Sequence, residues 1–371
     1  MSPEIYDHEG KPGAATIGGE HDLGPAESSS QASYRDRAPG EDVAHDAAPA
    51  TDIPAVTGEE ADEPSSPEQE TWAGSRLEPY SVGDPGRAAL EVTPALPESP
   101  HDPADTQLDG GVHGPFVIRA ASMRGTSHRY SGMPRQDEYA LCTCGQDWLI
   151  AAVADGVSAG ELSHVAAALA ARGAAGFIRD RLADSPSLES LPWMDMLGEV
   201  AGRIVLHGQR RLSSEESAVT LTAADVARSM ATTLVVLVVE MTPQVDGQRR
   251  GSVLSLGDTS VFQLGADGAW EPVTSVKNAG AAVSTSATAA LPYLPSYAVE
   301  PIPVVIGSGE GLFVMTDGVG DPLGTGTGVV GDFLASAWRE PPDLLSFGAQ
   351  VGFARRSYDD DRTVVGIWAN R

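Results

Sequence analysis

Apolar residues are distributed very unevenly along this 371-residue chain. The first 115 residues contain no periodic apolar run, whereas the remainder alternates between short solid apolar blocks and longer amphipathic stretches. The blocks LIAAVA, TLVVLVV, LFVM and TVVGIW are rich in Val, Leu and Ile and too short for helices, so they predict buried strands. A strand over 116–121 leads into a polar loop, RGTSHRYSGMPRQ, and then a hairpin, EYALCTC with DWLIAAVA, turns near Gly145. Helical spacing predicts two helices over 162–182 and 193–212. Strands resume over 231–240, turn at Val245-Asp246-Gly247 and continue through 252–264. A Ser/Thr/Ala/Pro stretch over 278–297 reads as an irregular flap. A strand at 312–316, helices over 329–338 and 343–355, and a strand over 363–368 complete the pattern. Strands, helices, strands and helices in that order predict sheets packed on each other with helices outside. No internal repeat is visible.

Charge divides the chain at the same place. Residues 1–115 hold 24 Asp/Glu against 5 Lys/Arg and 15 of the 27 prolines, so most of the formal net charge of −28 lies there. Such a segment cannot bury enough apolar surface to offset its chain entropy, which predicts a disordered acidic tail over 1–115. The 256 residues from 116 to 371 suffice for one domain. A chain this acidic is expected to avoid nucleic acid and anionic membranes. The start, MSPEIYDHEG, has neither a basic region nor an apolar core, and no apolar run reaches membrane-spanning length, so a soluble, cytoplasmic protein is expected. Cys142 and Cys144 point the same way on one strand, a spacing that suits two reduced packing residues rather than a disulfide or a zinc site.

The chemistry is carried by aspartates at the ends of the apolar blocks. LIAAVADG and LFVMTDG run into Asp155 and Asp317, whereas RQDEYALC and DDRTVVGIW run out of Asp137 and Asp360. In antiparallel neighbours the end of one strand and the start of the next share a sheet edge, so these four carboxylates are predicted to converge on one edge. Crowded carboxylates repel one another unless a hard divalent cation lies between them. An isolated Asp-Gly is usually a turn, and the run Asp359 to Asp361 alone would be a solvated acidic turn. Their recurrence at strand ends across the whole domain favours a site.

The order QD, VADG, MATT, GDTS, TDGVGDP, DDRT resembles the metal-dependent PPM (type 2C) protein Ser/Thr phosphatases, and GTSHRYSGMPRQD over 125–137 is similar to the opening motif of their bacterial branch. The resemblance implies an α+β fold, a four-layer αββα sandwich of two mainly antiparallel sheets flanked by helices. It also implies a centre of two or three Mn²⁺ or Mg²⁺ ions and hydrolysis of phosphoserine or phosphothreonine in protein substrates, with a Ser/Thr protein kinase as natural counterpart. By the same resemblance Asp155 bridges two metals, Gly156 offers its carbonyl, Asp317 and Asp360 complete the second metal, and Asp137 holds metal directly or through water. Asp258 in GDTS supports the site without ligating, Asp361 stands where Asn is common, and Asp225 lies near the position of a third-metal aspartate.

The chain departs from the family where phosphate is gripped. Gly132 occupies the position of a frequent Arg, and the glycine-rich turn after Asp155-Gly156 is reduced to VSAG. Arg124, Arg129, Arg135 and His128 lie in the same loop, and a guanidinium binds phosphate in bidentate fashion wherever its fork reaches. Arg129, Arg135 and His128 are the candidates for that role. The alternative is a catalytically weak or inactive relative that binds phosphoproteins or regulates a partner. His164 and the pair Thr232-Thr233 read as ordinary structural residues.

Overall fold

The computed structural model of the protein describes residues 80–86, 92–96, 103–213, 221–275 and 289–370, all within one compact unit, 74–371. Most of the acidic tail expected over 1–115, and residues 278–288 of the expected flap, lie outside the described residues.

Eleven strands are present among the described residues: β1 (Thr106–His113), β2 (Phe116–Met123), β3 (Glu138–Cys144), β4 (Trp148–Ala154), β5 (Leu234–Glu240), β6 (Arg249–Leu256), β7 (Ser260–Leu264), β8 (Trp270–Pro272), β9 (Ile302–Ile306), β10 (Gly311–Met315) and β11 (Arg362–Ala369). They form two antiparallel sheets, in the orders β1-β2-β11-β10-β7-β8 and β3-β4-β5-β6-β9. The helices are α1 (Thr126–Ser131), α2 (Ser163–Asp184), α3 (Trp193–Leu212), α4 (Ala223–Ala227), α5 (Asp317–Leu323), α6 (Val329–Ala337) and α7 (Leu344–Val351).

Strand β5 explains the layering. Its side chains alternate between faces, as the pleat requires: Leu234, Val236 and Val238 join a core with α2 and α3, whereas Val235, Leu237 and Val239 join a core between the sheets. A strand covered on both faces reads as a solid apolar run, which is why LVVLVV carries no alternation. The inter-sheet core takes Val314, Val365 and Ile367 from the first sheet. The outer face of that sheet, through Phe262, Phe313, Val364 and Trp368, packs on Leu334, Trp338, Phe347 and Val351 of the region from α6 to α7. The result is the expected four-layer αββα sandwich. Helix α2 buries six alanines, small enough to seat it closely on the sheet, and α3 buries Met196, Leu197, Val200, Ala201 and Ile204, one helical stripe.

The structure corrects three local expectations. Residues 106–113, expected within the tail, form β1, and all eight pair with β2. The strand passage expected to continue through 252–264 divides into two strands in different sheets, parted by Gly257-Asp258-Thr259, with Gly257 at φ 105°. Residues 80–86, also expected in the tail, lie along the end of the domain, where Ser81 bridges Ala354 and Val82 donates to the Ala354 carbonyl. No helix among the described residues is long and apolar enough to cross a membrane. Cys142 and Cys144 are both free, and burial pushes the Cys142 thiol up to about 11.

Candidate metal centre

Five chain passages meet at one rim of the sandwich. Asp137 precedes β3 and Asp155 follows β4, neighbours in the second sheet, where Glu138 pairs with Ala154. Asp317 follows β10 and Asp360 precedes β11, neighbours in the first, where Met315 pairs with Val364. The convergence therefore spans two facing sheets rather than the single sheet edge expected. Asp258 sits where the chain passes from β6 in one sheet to β7 in the other.

Carboxylate oxygens of Asp155, Asp258 and Asp317 lie within 4.8 Å of one another, and a second group of donors at the same spacing comprises His128, Asp360 and Asp361. Burial first, then Asp137, Asp317, Asp360 and Asp258, pushes the Asp155 carboxyl well above its usual range. Burial, then Asp361, does the same to Asp137. Asp360 is also raised, by burial and by the charges of Asp317 and Asp361, against a backbone hydrogen bond from Asp361. Such a cluster favours either protons or hard divalent cations, and the oxygen donors of Asp155, Asp258 and Asp317 fit Mg²⁺ or Mn²⁺.

Close backbone approach fixes these loops. A side chain at Gly318 would collide with the carbonyl oxygen of Asp361, and one at Gly125 with the backbone of Asp359 and Asp360. Asp361 then staples the rim: it accepts from the amides of Gly125 at 2.6 Å and Gln136 at 2.5 Å. His128 Nδ1 approaches the same carboxylate at 3.0 Å, a contact of charge more than of alignment. Burial lowers the His128 pKa, but Asp361 and Asp360 outweigh it and hold the imidazole above its usual value. The structure thus gives His128 a carboxylate partner at the loop base.

Two hydroxyl residues read as structural in the sequence position the ligand loops. The Asp155 carbonyl accepts from Thr232 Oγ1 at 2.9 Å and from the Thr233 amide at 2.8 Å, while the Asp155 amide donates to Thr233 Oγ1 at 3.1 Å. Gly156 bridges Thr232 on the same ladder. Thr316 Oγ1 donates to Asp137 at 2.7 Å. The MATT and MTDG strings signalled these threonines only by their place beside the strand ends.

Several sequence candidates have other partners. Arg129 makes a two-pronged pair with Asp105, at 3.2 Å from Nε and 2.7 Å from Nη2. Arg135 is completely buried and donates to Ala104, Gln107, Ser122 and the Asp137 carbonyl, a scaffold role rather than the phosphate grip expected of it. Asp225 is not among the clustered carboxylates. It closes a capping box with Thr222 at the start of α4 and pairs with Arg228, so its oxygens serve a helix end. Asp258, expected to support the site without ligating, places a carboxylate oxygen within 4.8 Å of those of Asp155 and Asp317.

The chain belongs to the protein phosphatase 2C family, whose sequence model matches residues 124–341. No curated protein matches the chain. Among solved structures it is similar to the PPM Ser-Thr phosphatase MsPP from Mycobacterium smegmatis, at 18% identity over 68% of this chain and 98% of that one, TM-score 0.42. It is also similar to the serine/threonine phosphatase PstP/Ppp of Mycobacterium tuberculosis, at 17% identity over 69% and 99%, TM-score 0.43. A third is the S. agalactiae serine/threonine phosphatase, at 15% identity over 69% and 100%, TM-score 0.43. The family is one of metal-dependent phosphatases, and the carboxylate rim is its metal-site candidate here.

Proposed function

We propose that the protein hydrolyses phosphoserine or phosphothreonine in protein substrates at a two-cation centre on this rim. The observation that carries the reading is the convergence of Asp155, Asp258 and Asp317 oxygens within 4.8 Å of one another, from both sheets, beside a raised Asp360. When bound, paired Mg²⁺ or Mn²⁺ ions lower the pKa of a water and neutralise charge on a phosphoryl group. The chain's own part is to hold Asp155 from below by Thr232 and Thr233. Asp361 pins the loops carrying Gly125 and Gln136, and Asp137 is held by Thr316. Asp155, Asp317 and Asp360 are the catalytic ligands in this reading, with Asp137 and the Gly156 carbonyl completing the set. A Ser/Thr protein kinase is the natural counterpart of such an enzyme, and the cytoplasm its compartment.

One observation favours a second reading, a non-catalytic phosphoprotein-binding relative: Arg129 and Arg135, the expected substitutes for the family arginine at Gly132, are both engaged elsewhere. Release of p-nitrophenol from p-nitrophenyl phosphate, and of phosphate from a phosphothreonine peptide, separates the two. Hydrolysis that needs Mn²⁺ or Mg²⁺ and is lost in EDTA supports the enzyme; no metal-dependent release at any pH from 6 to 9 supports the binding module.

A further inference from the structure

Beside the rim lies a cavity of about 630 Å³ whose wall includes Asp360 at one end and five arginines, Arg124, Arg129, Arg355, Arg356 and Arg362. In a chain of net charge −28, that concentration of positive charge is an exception. Only part of it is neutralised. Asp105 is shared by Arg129 at 2.7 Å and Arg124 at 3.8 Å, and Arg356 pairs with Asp84 at 3.3 Å. Arg362 is 6% exposed and meets only the carbonyls of Val351, Phe353 and Tyr358 and the ring of Phe353. Arg355 donates to the Val82 carbonyl, and neither it nor Arg362 has a carboxylate partner among the described residues. The Nε atoms of Arg124, itself 4% exposed, and of Arg355 are buried with no hydrogen-bond partner among the described residues. These two are distant in the sequence, Arg124 just before α1 and Arg355 in the loop between α7 and β11. Buried guanidinium donors are normally satisfied, and carboxylate and phosphate oxygens satisfy them strongly. Asp359 and Asp360 also line the wall and act favourably on Arg362, but with Asp84 they are three carboxylates against five guanidinium groups.

We infer that this cavity is an anion subsite that receives a second acidic group of the substrate, a phosphate or a carboxylate on the same peptide as the phosphoserine or phosphothreonine being cleaved. The inference rests on the proposed phosphatase reading and adds a substrate class to it: multiply phosphorylated or acid-flanked segments. Because Asp360 borders both the cavity and the rim, one extended peptide spans both. Asp84, Pro85 and Gly86, in the segment tied down by the bridge from Ser81 to Ala354, also line it, and Asp84 already pairs with Arg356 as an incoming acidic group would.

The test is a comparison of kcat/KM, on the full chain with Mn²⁺, for three peptides: one with a single phosphothreonine and neutral neighbours, one with glutamates two to four residues away on either side, and one with a second phosphoserine at those positions. The expected result is a preference of tenfold or more for at least one doubly anionic peptide over the neutral one. The glutamate and phosphoserine arms distinguish a carboxylate from a phosphate as the second group. Both Arg356→Gln, which removes an exposed side chain, and Arg355→Gln/Arg356→Gln are expected to bring that ratio close to one. Equal kcat/KM for all three peptides, or variants that retain the full ratio, overturns the inference. Anisotropy of a fluorescein-labelled doubly phosphorylated peptide in EDTA, where turnover does not occur, reads the cavity separately from the reaction. If the protein releases no phosphate from any substrate, the phosphatase reading fails, while binding in EDTA that the double variant weakens at least tenfold still upholds the cavity and unaltered binding rejects it.

Discussion

Thr316 at the end of β10 donates its hydroxyl to the Asp137 carboxylate at 2.7 Å and accepts the Thr363 amide at 3.0 Å. Asp137 leads into β3, so this one hydroxyl joins the start of a strand in one sheet to the end of a strand in the other, at the rim where the carboxylates gather. All three groups are buried. Thr316→Val keeps the shape and removes both bonds, leaving a buried acceptor and a buried amide short of partners. The expected cost is about 1–3 kcal/mol of stability and about a tenfold weaker Mn²⁺ affinity, the lower end for loss of a group that orients a metal ligand. Urea unfolding and Mn²⁺ titration of phosphatase activity read the two effects. Thr316→Ser is expected to recover most of both.

Stability without metal should run against the usual acid trend. The folded pKa values of Asp155, Asp137 and Asp360 lie above their unfolded values, so the metal-free folded state binds more protons than the unfolded chain once the pH exceeds the ordinary carboxylate value. Their contribution is fully present below that value and is lost as the pH rises through the folded values. His128, also raised, adds loss of the same sign above its usual value. In EDTA the melting temperature is therefore expected to be higher at pH 5.5 than at pH 7.5. Mn²⁺ should reverse the order, because its ligands must be deprotonated to bind, so the Mn²⁺-induced rise grows between the same two pH values. Calorimetry in matched buffers decides, and a metal-induced rise that is the same at both pH values would refute the clustering.

Substitutions separate members of the cluster from bystanders. Asp155→Asn removes one charge from a site where burial and four like charges oppose ionisation. In EDTA at pH 7.5 it is expected to melt higher than the parent, yet to lose metal-dependent turnover by roughly 10²–10³, the scale for removing one preorganised electrostatic element. Asp258→Asn and Asp317→Asn should lose metal-dependent turnover on the same scale, because all three oxygens share one spacing. Asp225→Ala should keep Mn²⁺-dependent activity and lose only local helix capping, because its carboxylate is bound by Thr222 and Arg228. Parallel melting and p-nitrophenyl phosphate assays of the four variants are sufficient.

The contrast between Asp258 and Asp225 also marks where the sequence is readable. Solid apolar blocks flanked by aspartates revealed the central strands, because a strand buried on both faces has no other way to look and a carboxylate at its end must lie outside the core. The GDTS string marked a turn, but nothing in it reported that the chain changes sheets there, since the strands on both sides carry the same apolar character. Strand β1 was missed for the opposite reason. TQLDGGVH is an exposed edge strand with two glycines, and it is held by backbone pairing to β2 more than by buried side chains. Helix α5 begins at Asp317 itself and contains Pro322, so the Asp-Gly turn signal and the proline hid it. Thr232, Thr233 and Thr316 act through hydroxyls on backbone and carboxylate groups, and no periodicity reports that.

Arg135 provides the sharpest division between the scaffold and the phosphate grip. Its Nε donates to the Ala104 carbonyl at 3.0 Å, Nη2 to Gln107 Oε1 at 3.1 Å, and Nη1 to the Asp137 carbonyl at 2.5 Å and to Ser122. The guanidinium thus ties β1 and β2 to the residue that opens β3, and no solvent-facing surface remains to meet a substrate. Arg135→Met is expected to lower stability by on the order of 3 kcal/mol, since charge-assisted bonds are lost and buried carbonyls are left short of donors. A phosphate-gripping residue behaves differently: its loss raises the Michaelis constant for p-nitrophenyl phosphate and spares stability. Arg135→Met should therefore shift the urea midpoint strongly, while the Michaelis constant of the folded protein, measured well below the melting temperature, stays near the parent value. Arg129→Ala, which releases only the half-exposed Asp105, is the companion variant, expected to move both quantities little. A raised Michaelis constant with an unshifted midpoint in Arg135→Met would return the residue to the substrate.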